Sequence, residues 1–278
     1  MQFSGQVAVI TGAASGIGRG LALEAGRRGM RVAIADIDQA NLLVTYSILQ
    51  EMGVEATSHV LNVAIPDEME IFATQIFDLY GAVYLFFNNA GVHIDGPSWN
   101  YTDAQWKWLF DVNVFGIVNG TRSFLPKMIQ GGGDGIIANT ASLAGLISFP
   151  YSGCYCASKH AIVGFTESVH FELRELQSRI KMALICPGAV ATAIAAPSAA
   201  ALTPMIVNDD TNGSSARDFH RNFESLIQSG MSADEHAKFV FEEILKERFW
   251  IISDESYFEM IEERLKSISD HRPPKFGA

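Results

Sequence analysis

The chain is short of cysteine, of basic residues and of any uninterrupted membrane-length apolar run. Its three cysteines, Cys154, Cys156 and Cys186, are too few and too odd in number for a disulfide framework, and fit a reducing compartment. Cys154, Cys156 and His160 are zinc-ligand types, but no fourth ligand stands near them, so no metal is expected. Twenty lysines and arginines face 31 aspartates and glutamates, a net charge of −11 that excludes a nucleic-acid partner. No basic segment followed by a long apolar stretch opens the chain, so a cytoplasmic location is expected. The nearly uncharged stretch 188–207 approaches the length of a membrane span. Pro197, Pro204 and its many alanines argue against one. No internal repeat is visible. At 278 residues and 48% hydrophobic, the chain can bury one large core, a single domain over 1–278.

What is present begins at the N-terminus. Val7-Ala8-Val9-Ile10 is a short apolar, β-branched run suited to a buried parallel strand. Thr11-Gly12-Ala13-Ala14-Ser15-Gly16-Ile17-Gly18 follows, then Leu21, Ala22 and Ala25 at helical spacing, with Gly29 as the stop. Residues 31–35 form a second buried run ending at Asp36. Glycines let a backbone approach a pyrophosphate, and a helix N-terminus offers free N–H groups to it. The acid lies eighteen residues past the last glycine, where a carboxylate can accept from ribose hydroxyls and repel a 2′-phosphate. Neither Ile37 nor Ser15 supplies a cation for such a phosphate, and Arg19 is the one nearby base. The expected cofactor is therefore NAD, with NADP the lesser alternative.

Tyr155 and Lys159 are four residues apart, on one face of a helix, and Ser142 lies thirteen residues before the tyrosine. A free phenol, ionising near pH 10, is a poor base at neutrality. A fixed cation beside it favours the phenolate, so Lys159 is expected to lower the Tyr155 pKa. Such a phenol exchanges a proton with an alcohol or ketone.

Together these motifs resemble the short-chain dehydrogenase/reductase family in its compact form, over roughly residues 5–255. The pieces stand in the family's order: the glycine turn, Asp36, Asn88-Asn89-Ala90-Gly91, Asn113, Ser142, Tyr155 with Lys159, and Pro187-Gly188 with Thr192. The resemblance implies Tyr155 as acid/base, Lys159 as its electrostatic partner and ribose ligand, and Ser142 as a hydrogen-bond partner of the substrate oxygen. It implies that Asn113 positions a water leading from Lys159 to solvent. The implied cofactor contacts are Gly12, Ser15, Gly16, Ile17, Gly18, Asp36, Ile37, Asn62, Val63, Asn89, Ala90, Gly91, Pro187, Gly188, Val190 and Thr192, besides the catalytic pair. One departure stands at Leu61-Asn62-Val63, where many members carry an acid that touches the adenine; an asparagine still offers a carbonyl acceptor. The resemblance also implies a homotetramer or dimer, packed through long helices starting near Thr102 and Tyr155.

Further along, strands and helices alternate: helix 41–52, strand 56–62, helix 66–79, strand 84–87, and a long helix from the capping box Thr102-x-x-Gln105. That helix carries Trp106, Leu109, Phe110 and Asn113, and Pro126 with the glycines 131–133 mark its end. Strand 136–138, helix 155–176, strand 181–186, a helix capped by Ser232-x-x-Glu235 and strand 249–252 follow. The alternation predicts an α/β, doubly wound (Rossmann), mostly parallel sheet with helices on both faces and ligands at the strands' carboxyl ends. Residues 189–230 break the pattern and are expected to form a substrate lid. The expected substrate wall is His93, Ser142, Leu143, Leu146, Phe149, Tyr151, Tyr155, Ala189 and Ile194, mostly apolar and without a basic cluster. It suits a neutral, hydrophobic secondary alcohol or ketone, aromatic or alicyclic. The competing readings are a non-catalytic NAD-binding sensor or scaffold, an NADP-preferring ketone reductase, and an epimerase or dehydratase. The last two enzyme types usually have a larger C-terminal substrate region.

Overall fold

The computed structural model describes residues 3–194 and 213–276. Seven parallel strands form one sheet: β1 (Val7–Thr11), β2 (Arg31–Asp36), β3 (Ala56–Val60), β4 (Leu85–Asn88), β5 (Gly135–Thr140), β6 (Ile180–Cys186) and β9 (Trp250–Ile252). Their order is β3-β2-β1-β4-β5-β6-β9. From β1 the chain winds first to one side, through β2 and β3, and then to the other through β4. The crevice between the carboxyl ends of β1 and β4 is therefore the switch point where ligands bind in such sheets. β7 (Val190–Ala191) and β8 (Met231–Ser232) pair as a separate two-stranded ladder.

The period-two alternation of strands sorts side chains onto two faces. Ala8, Ile10, Val32, Ile34, Leu85 and Phe87 pack beneath α1 (Gly16–Arg27) and α8 (Ala233–Leu245). Val7, Val9, Ala33, Ala35, Phe86 and Ile137 pack beneath α3 (Pro66–Tyr80), α5 (Gly116–Gly131) and α6 (Gly153–Glu175). Phe124 of α5 stacks on Phe86 at 4.2 Å, and Phe241 of α8 meets Phe3 edge-on at 5.2 Å. Deleting a buried ring of this kind costs about 3–5 kcal/mol, so these two contacts anchor the helix layers to the sheet. α2 (Gln39–Glu51), capped by Asp38, completes the first layer.

Several boundaries differ from expectation. Strand three stops at Val60, because Asn62 turns to accept from the Ala64 N–H at 3.0 Å. The long helix starts at its predicted capping box as α4 (Asp103–Phe110), but widens into a π turn at Asp111–Phe115 before continuing as α5. Pro126 does not end it. Pro126 and Arg122 both face solvent, where water can serve the carbonyl that proline leaves unpaired, and the helix runs on to a left-handed cap at Gly132. The segment 189–230 is not simply a loop: it contains β7 and a helix, α7 (Gly213–Gln228). The rest of the expected lid, 195–212, lies outside the described residues. A last helix, α9 (Phe258–Ser269), was not anticipated. No described helix is long and apolar enough to cross a membrane.

Candidate active site

The glycine turn is shaped by contacts that only glycine permits. A Cβ on Gly18 would stand 2.0 Å from the Gly12 carbonyl oxygen, and one on Gly12, at φ +68°, would stand 2.7 Å from Ala90 Cα. The turn therefore lies directly against the Asn89-Ala90-Gly91 segment. Thr11 ties the two together: its hydroxyl accepts from the Asn89 and Ala90 N–H groups at 3.0 and 3.2 Å. Asn89 returns a bond to the Thr11 carbonyl at 3.0 Å and accepts from Thr140 at 3.2 Å. Ser15 is exposed and makes no side-chain cap, and the first turn of α1 carries no acid. Its free N–H groups and dipole thus face a position suited to a phosphate.

At the far side of this cradle, Asp36 accepts from the Ala14 and Asp38 N–H groups, both at 2.9 Å. Burial raises its pKa, and those backbone donors offset part of the rise. Each carboxylate oxygen keeps a further lone pair for a ligand hydroxyl. Ile37 is half exposed beside it. Arg19, the one base expected here, is turned inward to Thr45, at 2.9 Å, and to the Ala14 carbonyl. Val63 is buried against Gly116, and its carbonyl accepts from Asn119 at 3.0 Å. It packs in the core with Met69, Phe72 and Phe124. Gly16 and Thr192 come together across the cradle, a Cβ on Gly16 lying 3.0 Å from the threonine methyl. The Pro187 carbonyl accepts from Leu143 N–H at 3.0 Å, Gly188 donates to Ser253 at 3.4 Å, and Val190 is buried.

Ser142, Tyr155 and Lys159 meet just past the carboxyl end of β5. Ser142, with an extended backbone, caps the short turn Leu143–Gly145, its oxygen accepting from Ala144 N–H at 3.1 Å. Its own proton is thereby free to turn to the Tyr155 oxygen, and the serine pulls the phenol's pKa down. Lys159, one turn on, is buried and donates to the Thr140 carbonyl at 3.1 Å. Its Nζ sits 5.5 Å from the centre of the Tyr155 ring.

The electrostatics correct one expectation. Burial pushes the Tyr155 phenol up to about 12, against a downward pull from Ser142, and pushes Lys159 down to about 8. Losing solvation penalises both charged forms, and at this separation the lysine does not reverse the penalty on the phenolate. The same loss of solvation raises Cys154, Cys156 and Cys186, which stay protonated thiols.

Asn113 lies in the π turn, fully buried. Its amide accepts from Val92 N–H at 2.8 Å and donates to the Val92 carbonyl at 2.9 Å and to Ser158 at 3.1 Å. Ser158 in turn donates to the Tyr155 carbonyl at 2.7 Å. This side chain therefore staples the loop after β4 to α6, a bracing task beyond the water contact implied by resemblance. Wide turns of this kind recur at functional sites.

Of the expected wall, His93 stands edge-on to Tyr155 at 4.7 Å, while Leu143 is buried beside Gly188. Phe149 packs on the cluster around Tyr155, its N–H donating to Cys156 Sγ at 3.4 Å. The Ala189 carbonyl accepts from Met231 N–H at 3.1 Å, and Ile194 ends the described part of this segment. Thr11, Thr140 and Ser158 were not anticipated. Threonines and serines next to strand ends carry no distinguishing pattern, and only the fold reveals their bonds. Phe219 and Phe223 were missed as well, although their spacing, continued by Leu226 and Ile227, is helical.

A parallel sheet with a glycine cradle at its switch point and a serine, tyrosine and lysine beside it is the frame of a nucleotide-dependent oxidoreductase. The model of the short chain dehydrogenase family matches residues 6–202, and the chain belongs to that family. A short-chain dehydrogenase/reductase from Burkholderia phymatum, solved in complex with NAD, superposes with a TM-score of 0.92 at 33% identity, covering 100% of this chain and 99% of the other. The CLA biosynthesis dehydrogenase/reductase of Lactiplantibacillus plantarum is 31% identical over 96% of this chain and 94% of its own. Human 15-hydroxyprostaglandin dehydrogenase [NAD(+)] is 33% identical over 70% of this chain and 71% of its own.

Proposed function

We propose that this protein interconverts a neutral, hydrophobic secondary alcohol and its ketone, with NAD(H) as hydride carrier and one domain holding both ligands. The observation that carries the reading is the trio Ser142, Tyr155 and Lys159 beside a phosphate-ready helix end. A side-chain set suited to proton transfer next to a turn suited to a dinucleotide supports the reading. The names of the Burkholderia structure and the human relative, both tied to NAD, support the choice of cofactor. So do Asp36, which would repel a 2′-phosphate, and Arg19, whose guanidinium is already engaged.

Bound NAD+ would supply the acceptor for the carbinol hydride. Gly12, Ser15, Gly16, Ile17 and Gly18 would hold its pyrophosphate, Asp36 and Ile37 a ribose, and Asn62 with Val63 the adenine end. Asn89, Ala90, Gly91, Pro187, Gly188, Val190 and Thr192 would flank the rest. Ser142 donates to the substrate oxygen and fixes its position, chiefly an orientation effect. Tyr155 takes the hydroxyl proton in oxidation and returns it in reduction. A phenol held near 12 cannot do this at neutrality unaided. The cation of an oxidised nicotinamide close by, added to Lys159, would supply the missing stabilisation of the phenolate. Asn113 keeps α6 in register for the transfer, and Lys159, low at about 8, can pass protons onward. Phe115, Phe171 and Leu176, exposed on and around these helices, support self-association as a dimer or tetramer.

Tyr155→Phe tests the assignment. Proton transfer of this type is worth about 10²–10⁴-fold, so kcat for secondary alcohols with NAD+ should fall at least about 10²-fold while NADH still binds. Near-normal turnover in that variant would remove Tyr155 from the chemistry.

A further inference from the structure

A line of aromatic rings leads away from Tyr155. After His93, edge-on at 4.7 Å, comes Phe223 of α7, stacked on the imidazole at 4.6 Å and 27°. Phe219, one turn earlier on the same helix face, lies parallel to Phe223 at 6.1 Å and 7°. Tyr151 then meets Phe219 at 5.5 Å. Three separate stretches of chain, around residues 93, 151–155 and 219–223, supply these rings, so the line is a product of the fold and not of one helix.

Two features hold the line in place. His220 Nδ1 lies 2.8 Å from an Asp95 oxygen, pinning α7 to the loop that carries His93, and Glu224 flanks its other nitrogen at 3.5 Å. Tyr151 sits at φ +58°, a region that non-glycine residues avoid. Its carbonyl accepts from Gly96 N–H at 2.7 Å and from the Tyr101 hydroxyl at 3.1 Å, which keep it there. A strained residue kept in place by its surroundings is characteristic of functional positions.

We propose that Phe223, backed by His93, Phe219 and Tyr151, is a specificity-determining residue that selects alcohols bearing a flat aromatic or conjugated arm next to the carbinol. The proposal rests on the reading of this site as an alcohol dehydrogenase and names its substrate class. With the carbinol oxygen at Ser142 and Tyr155, the adjoining arm passes His93 and then Phe223. Ring faces reward a flat π system beyond the area it buries. An anionic arm is disfavoured, because loss of solvation lowers the His93 pKa to about 4 and keeps it neutral, and His220 is already occupied by Asp95 and Glu224.

The test is calorimetric binding of 1-phenylethanol and 1-cyclohexylethanol to the enzyme–NADH complex, where neither alcohol can react. The two share the same carbinol on a six-membered ring, flat and aromatic in one and puckered and saturated in the other. Wild-type protein should prefer the phenyl compound about three- to tenfold. Phe223→Leu should bring the ratio close to one, Phe219→Leu should lower it part of the way, and Phe223→Tyr should keep it. No preference in the wild type, or a ratio unmoved in both leucine variants, overturns the proposal. Oxidation of the same pair with NAD+ separates it from the reaction it rests on. If neither alcohol turns over yet the binding ratio still falls in Phe223→Leu, the dehydrogenase reading fails and the aromatic wall stands.

Discussion

Alanine at Gly18 is the sharpest perturbation the structure offers. The new Cβ would stand 2.0 Å from the Gly12 carbonyl oxygen and 2.7 Å from the Asn89 amide nitrogen. The first of these is backbone, which cannot swing aside as a side-chain tip can. Relief therefore requires the glycine turn to move away from α1 by roughly an ångström, a strain of about 1–3 kcal/mol in the empty protein. The larger effect falls on the cofactor. A displaced turn can no longer point both of its N–H groups at a pyrophosphate, and a hydrogen bond to a charged group contributes about 1.5–3 kcal/mol. Losing one or two such bonds weakens NADH binding by roughly 10²-fold or more, at about 1.4 kcal/mol per tenfold. Fluorescence titration of NADH reads this directly, and a melting curve monitors the strain. An unchanged Kd in a folded Gly18→Ala protein would refute the assignment of this turn to the pyrophosphate.

Other consequences follow from burial. His236 on α8 is fully buried with neither ring nitrogen bonded, and burial lowers its pKa from 6.5 to about 4. The folded state thus refuses a proton that the unfolded chain accepts. Stability is intact above about pH 6.5 and falls as pH drops towards 4, by on the order of 3 kcal/mol for this group. His236→Leu should flatten that part of the stability–pH curve in urea melts, and an unaltered slope would contradict it. Lys159 follows the same rule at higher pH. Its ammonium is held at about 8 against an ordinary 10.5, so below pH 8 its charge destabilises the fold, an effect that fades as pH rises to 10.5. Lys159→Met should raise the Tm at pH 7 by several degrees, even after about 1 kcal/mol is lost at the unpartnered Thr140 carbonyl, while activity collapses. A lowered Tm would show that the lysine stabilises the fold.

Much of the fold was legible because its signals are local. Val7 to Asp36 reads as strand, turn, helix, strand from apolar runs and glycines alone, and the structure keeps each part in place. Tyr155 and Lys159 could be paired from helical spacing, yet the sign of the Tyr155 shift could not, because the cost of burying a phenolate depends on the whole surrounding shell. The π turn at Asp111–Phe115 is equally silent in sequence: its residues suit an α-helix, and it is the tertiary clasp between Asn113, Val92 and Ser158 that favours the wider turn. Pro126 misled because proline is a helix breaker only where its lost hydrogen bond is buried. α7 was within reach, since Phe219, Phe223 and Ile227 recur every fourth residue, but the surrounding polar run masked them.

Catalysis of this kind depends on a phenol that stays protonated in the empty protein and gives up its proton beside an oxidised cofactor. Phenolate absorbance of the wild type minus that of Tyr155→Phe, followed to about pH 10.5 with and without NAD+, isolates this one hydroxyl. The prediction is no Tyr155 phenolate over that range without NAD+, and its appearance well below pH 10 once NAD+ is bound. Identical titrations in the two conditions would contradict the mechanism.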